Sequence, residues 1–221
     1  MKANRFFTTA IFSIIGVLAA AQPWMMRPQG PANEFSAIEG TSVLNYNLQM
    51  ERDIHSRAGY GPAFYIFPDS KLDNNQALEL AGKLDLVNII KEYGGRIMVV
   101  NPSSDKWQEQ DLENFRRLIG MGGSPTNVKV IGIGSGATFV NRHLAATDLT
   151  GVIAGIVSID GEPGKICKLP VPAFIGGKNA AKAAKPYQAT SDAAPADPLQ
   201  KVVVNTDKKA SLETLFAEAW D

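Results

Sequence analysis

The sequence predicts an α/β fold: a mostly parallel sheet with helices on both faces. Three observations predict it. Short runs of β-branched and aromatic residues alternate with longer stretches whose apolar residues recur at helical spacing. That alternation requires right-handed crossovers, which make neighbouring strands parallel and put helices over both sheet faces. The third observation is the segment Val128-Lys129-Val130-Ile131-Gly132-Ile133-Gly134-Ser135-Gly136-Ala137, a β-branched strand that runs through tight glycines into a helix. With 221 residues, 45% of them hydrophobic, the chain can bury one sizeable core.

In chain order, Lys2 and Arg5 precede an apolar run over residues 6–20, and Ala19-Ala20-Ala21 supplies small residues before Gln22. That is the pattern of an export signal over residues 1–21, implying a periplasmic or extracellular destination. Thr8, Thr9 and Ser13 interrupt a run already short for a membrane span. Residues 22–39, rich in Pro, Gly and polar side chains, read as a flexible linker, and residues 40–221 as the folded domain.

Val43 to Leu48 alternates in polarity, as in an early strand with one wet face. Ala63 to Phe67, bounded by Pro68, is a buried strand. A helix capped by Asn74 or Asn75 runs towards Tyr93 and stops at Gly94-Gly95. Arg96 to Val100 is the next buried strand, and a second helix begins at Ser104, with Leu112, Phe115, Leu118 and Ile119 on one face. After the glycine turn, its helix extends through Phe139 and Leu144. Further strands are expected over residues 152–159, 171–175 and 201–205. No helix fits between Asp160 and Val171, and residues 179–198 read as a long loop. Residues 211–220 form an amphipathic pattern that ends without a cap, so the fold is drawn as possibly lacking its C-terminal end.

Composition narrows the function. The formal net charge is +0, and no Lys/Arg stripe interleaves with aromatics, which argues against a nucleic-acid partner. The single cysteine, Cys167, excludes an internal disulfide. It lies between Lys165 and Lys168 with no histidine partner, the setting of a structural thiol. Two histidines and scattered carboxylates give no metal-ligand spacing, so neither metal nor other cofactor is expected.

The glycine turn admits several readings. A strand–turn–helix presents backbone N–H groups at a helix start, as serine hydrolases and dinucleotide-binding proteins both do. Gly132, Gly134 and Ala137 satisfy G-x-G-x-x-A, and Asp160 ends the next strand where an acidic residue would meet a ribose. Two strand–helix units precede the turn, however, whereas this fingerprint ordinarily opens its fold. The plain alternative is that the glycines allow only close helix–sheet packing and that Ser135 caps its own helix.

Here the chain resembles the α/β-hydrolase superfamily, and within it the polyhydroxybutyrate-depolymerase and feruloyl-esterase-like branch. The resemblance spans roughly residues 62–175: Ala63 to Phe67 before an oxyanion loop, Ile97 to Pro102 as the next strand, and Val128 to Val140 as strand, elbow and helix. The family elbow reads small-x-nucleophile-x-small. Centred on Ser135, it places Ile133 at a position that must be small. Centred on Gly134, it gives Gly132-Ile133-Gly134-Ser135-Gly136, a clean pattern that leaves glycine, with no side chain to attack from, at the nucleophile position, so the elbow is read as degenerate.

The resemblance implies Ser135 as the candidate nucleophile, Asp160 as a candidate acid, and an oxyanion or anion-binding set at Asp69, Gly134 and Gly136. The substrate would be a small or polymeric ester. No general base is assigned: His143 lies within the elbow helix, His55 precedes the sheet, and Asn179 stands where an acid is expected. Asp207 is a further substitute acid. Three functions are carried forward: an exported esterase-like enzyme, a catalytically silent relative that binds a ligand or partner, and, third, a dinucleotide-binding Rossmann-like protein.

Overall fold

The computed structural model describes residues 33–38, 41–46, 63–84, 86, 96–121, 128–193 and 201–206. Eight strands form one sheet: β1 (Asn33–Ile38), β2 (Thr41–Tyr46), β3 (Ala63–Phe67), β4 (Arg96–Val100), β5 (Val128–Ile133), β6 (Ile153–Ile159), β7 (Ala173–Gly176) and β8 (Val202–Asn205). Their spatial order is β1-β2-β4-β3-β5-β6-β7-β8. The first two strands pair antiparallel with each other, and β2 pairs antiparallel with β4. From β4 to β8, every neighbour is parallel. The expected α/β class is therefore observed, with an antiparallel hairpin added at one edge. Residues 33–38, read from sequence as linker, belong to that hairpin.

Each central strand divides its side chains between two cores, because successive residues point to opposite faces. Ala63, Tyr65 and Phe67 of β3 enter one core with Val128 and Val130 of β5; Phe64 and Ile66 enter the other with Ile131. The second core is covered by α1 (Asn74–Lys83) through Ala77 and Ala81. The first is covered by α2 (Gln110–Met121), α3 (Ser135–Phe139), α4 (Ala180–Ala183) and α5 (Lys185–Ala193). Tyr65 and Phe67 both meet Phe115 of α2 edge-on, at centroid distances of 5.2 and 5.1 Å. Rings buried to this degree contribute about 1.5–3 kcal/mol each by area alone.

Local chemistry corrects several boundaries. Helix α1 is capped by Asp73, one residue before the expected Asn74: its carboxylate accepts from Gln76 N–H, and the Gln76 side chain accepts from Asp73 N–H. Helix α2 starts at Gln110 rather than Ser104, because the Asp111 carboxylate takes the N–H groups of Ser103 and Gln108 and folds residues 103–109 into a turn. Residues 179–198 are not one loop: α4 and α5 occupy residues 180–183 and 185–193. The strong helix propensity of alanine explains this, with Ala180, Ala183, Ala184 and Tyr187 packed into the first core. The expected absence of a helix between Asp160 and Val171 agrees with the structure. The expected export signal, His55, the span from 87 to Tyr93, Asp207 and the helix expected at 211–220 lie outside the described residues.

Helix α3 continues through a π-helical turn, Val140–Leu144. There Asn141, 1% exposed, donates to the Glu162 carbonyl and accepts from the Tyr187 hydroxyl at 2.9 Å. The wider turn thus ties α5 and the segment after β6 to one residue.

Gly136 sits where α3 crosses the end of β3: a β-carbon there would lie 2.5 Å from the Pro68 carbonyl oxygen and 2.6 Å from the Phe67 carbonyl carbon, both backbone atoms. Gly136→Ala is expected to destabilise the fold by about 2–3 kcal/mol in urea unfolding. Gly82→Ala, on α1 with nothing within 4 Å of the new carbon, is expected to be stabilising by about 0.5–1 kcal/mol.

Candidate functional site

Parallel register assembles the site. Phe67 of β3 pairs with Gly132 of β5, Ile133 pairs with Ile159 of β6, and Ile159 pairs with Gly176 of β7. Continuing each strand past its last pair brings Asp69, Gly134, Asp160 and Gly177 into one row at the carboxyl end of the sheet. Ligands of open α/β sheets bind at this end. The ladder extends into the row: Gly134 N–H donates to the Ile159 carbonyl and Asp160 N–H to the Gly176 carbonyl.

Gly134 is the bend itself. Its φ of 55° and ψ of −117° lie in a region that only glycine enters readily. In a nucleophile elbow, the strained turn residue carries the nucleophile, and in this chain that residue has no side chain. Ser135, the candidate nucleophile, stands one position later as the first residue of α3. Of the two candidate turn positions, Gly134 and Ser135, the positive φ falls on Gly134.

The space above Gly134 is occupied. A β-carbon at 134 would fall within the Asp69 carboxylate, 2.5 Å from its Cγ. Asp69 Oδ1 accepts the Ser135 N–H at 2.6 Å, and the Ser135 hydroxyl donates to the Asp69 carbonyl. That N–H belongs to the residue after the turn, the donor that holds the oxyanion in an elbow-type hydrolase. Among the expected anion-binding residues, Asp69 thus contributes its carboxylate as an acceptor, Gly134 has its own N–H in the sheet ladder, and Gly136 is wedged beneath β3. A carboxylate over the turn also opposes a pyrophosphate there, which removes the physical basis of the dinucleotide reading.

Asp160 faces the other way. Its backbone has a φ of 56°, and its carboxylate accepts the Lys178 N–H at 3.1 Å, joining the ends of β6 and β7. Asn179, where sequence looked for an acid, donates to the Glu162 carboxylate at 2.9 Å. The row therefore places two acids on either side of the elbow but aims only Asp69 at it.

Beside the elbow lies a cleft of about 450 Å³, lined by Asp69, Asp105, Lys106, Trp107, Ser135, Thr138, Phe139, Arg142 and His143. Its wall is a run of near-parallel rings. Trp107 stacks on Phe139 at 4.8 Å and 25°, and Phe139 meets His143 at 5.6 Å and 30°. Trp107 Nε1 is committed to the Pro68 carbonyl at 2.9 Å. His143, placed by sequence within the elbow helix, borders the cleft together with Trp107. The sequence reading did not anticipate Asp105, Lys106, Thr138 or Arg142. The signal for Arg142 and His143 is the π-helical turn, which no residue spacing announces. His143 is eight residues beyond Ser135 on the same helical run, with its ring against Phe139.

Cys167 is half-buried. Burial pushes its thiol above the ordinary range, against smaller opposing hydrogen bonds, so the flanking lysines do not activate it. Among the described residues, no group of His, Cys, Asp and Glu is arranged to hold a metal ion, and no helix is long and apolar enough to cross a membrane.

Several solved structures share this fold. An α/β hydrolase from a Medee basin deep-sea metagenome library superposes with a TM-score of 0.54 at 16% identity, over 81% of each chain. A serine hydrolase without a lid from Xanthomonas campestris gives 0.51 at 16% identity, over 87% of this chain and 94% of that one. A putative dienelactone hydrolase from Klebsiella pneumoniae gives 0.50 at 14% identity, over 86% and 94%. No protein-family model matches the sequence, and no curated protein matches it. The fold is α/β-hydrolase-like.

Two predictions follow from this geometry. Asp69→Ala removes the acceptor of an exposed N–H that water can replace, so it should cost only about 1 kcal/mol in chemical unfolding. Burial also raises the Tyr187 hydroxyl well above the ordinary tyrosine range, with a smaller contribution from Cys167. The unfolded state then releases this proton first as pH climbs through about 10, so stability present below that pH is lost above it. Tyr187→Phe should flatten the alkaline decline in a pH series of melting temperatures.

Proposed function

We propose that this chain is an exported, catalytically silent relative of α/β hydrolases that binds a small molecule in the cleft beside its elbow. The single observation carrying this reading is the Asp69 carboxylate over Gly134. The nucleophile position has no side chain, and the N–H that would hold an oxyanion already holds a carboxylate. The signal-like sequence pattern over residues 1–21 supports the exported part.

An esterase-like activity would require Ser135 to act from the first position of α3. Its hydroxyl is engaged by the Asp69 carbonyl, and the hydrogen bond it makes there is not to a general base. Losing nucleophile or base costs on the order of a million-fold in such enzymes. The family resemblance and the hydrolase neighbours support the architecture of a cleft, whereas the elbow residues argue against turnover of an ester or polyester within it.

The test is direct. The full chain, incubated with a fluorophosphonate probe and with short-chain p-nitrophenyl esters, is expected to show no labelling, and hydrolysis no faster than Ser135→Ala. Labelling that disappears in Ser135→Ala would establish the enzyme reading in its place.

A further inference from the structure

We infer that the cleft takes a linear zwitterion, with an ammonium at one end and a carboxylate at the other. This rests on the cleft-binding reading above and names its ligand class. The first argument is charge balance. The ionic side chains lining the cleft are Asp69, Asp105, Lys106 and Arg142, two of each sign. A ligand with a single charge meets as many repelling groups as attracting ones. A ligand carrying both signs can set each end against its opposite. The four charges are also unspent on one another. Among the described residues the ion pairs are Lys83 with Glu79 and Arg116 with Glu113, so no cleft acid is paired with a cleft base. All four are exposed, so a ligand reaches them without breaking an internal pair.

The second argument is their order along the cleft. Ser135, Thr138 and Arg142 line it from one continuous helical run, at the i, i+3, i+7 spacing of a single face. The Asp69 carboxylate marks the start of that run. Its Oδ1 holds the Ser135 N–H, which leaves the second oxygen for a ligand. Arg142 stands about two turns further along. Asp105 and Lys106, adjacent on the turn over residues 103–109, add one charge of each sign and leave this order unchanged. The ammonium therefore belongs at Asp69 and the carboxylate at Arg142, whose guanidinium can take both carboxylate oxygens. Ends held two turns apart call for charges separated by a chain, not carried on one carbon. A volume of about 450 Å³ suits a molecule of that size.

The experiment is NMR titration of the ¹⁵N-labelled full chain with 6-aminohexanoate, hexanoate, hexylamine and glycine at constant ionic strength. The expected result is 6-aminohexanoate binding about threefold or more tightly than each of the others, with amide shifts centred on residues 135–143. Arg142→Gln should lower its affinity to that of hexylamine, and Asp69→Asn to that of hexanoate. Both positions are exposed, and the spectrum of each variant reports its folding directly. No shifts with millimolar 6-aminohexanoate, equal affinity for the singly charged analogues or for glycine, or unchanged affinity in Arg142→Gln would overturn the inference. These outcomes are separate from the fluorophosphonate result: a silent protein that ignores 6-aminohexanoate loses only its ligand class, whereas a labelled serine removes the silent reading itself.

Discussion

A strand that becomes a helix within two residues forces its turn residue into positive φ, and in this chain that constraint falls on Gly134. The rest of the site follows from it. The bend aims the first N–H of α3 back over the sheet end, where parallel register has already placed Asp69 on the neighbouring strand's exit. A carboxylate in that position finds an N–H donor, and the glycine leaves the volume it needs. Glycine and aspartate are therefore complementary. A side chain at 134 and the Asp69 carboxylate cannot both occupy the space above the turn.

The two-sided core makes the geometry rigid enough to matter. Phe67 leads directly into Pro68 and Asp69, and its ring is held by Phe115, Phe139 and Trp107. Trp107 in turn bonds the Pro68 carbonyl, so the segment carrying Asp69 is fixed from both the ring and the backbone side. The same Trp107 and Phe139 that stabilise the exit of β3 form the cleft wall. The packing of the β3 exit and the wall of the cleft are here one set of side chains.

The sheet was largely legible in the sequence because buried parallel strands are continuous apolar runs. Ala63–Phe67, Arg96–Val100 and Val128–Ile133 carry that signal at full strength, and so does the glycine turn. Side-chain capping was harder to read. Asp73 and Asp111 each moved a helix start, since the choice among nearby polar residues depends on which carboxylate reaches which N–H. The helices after β7 were missed because a Lys- and Pro-containing stretch masked the alanines that drive them.

At the site, steric reasoning over Gly132, Gly134 and Gly136 identified the turn residue, and the backbone angles agree. The role of the Asp69 carboxylate was not legible, because it depends on β3 and β5 being neighbours in a register that places residue 69 beside 134. The contribution of Arg142 and His143 to the cleft likewise depends on a π-helical turn, a local re-phasing without a composition of its own.

The central claim is mutual exclusion between a side chain at 134 and the carboxylate of Asp69, and a double-mutant cycle in urea unfolding measures it. Gly134→Ala, Asp69→Ala and the double variant are compared with the parent chain. The account predicts that Gly134→Ala costs less by about 1 kcal/mol or more when Asp69 is already alanine, because the clash has gone and only backbone strain remains. Additive effects within about 0.3–0.5 kcal/mol would show that the carboxylate does not occupy the space over the turn.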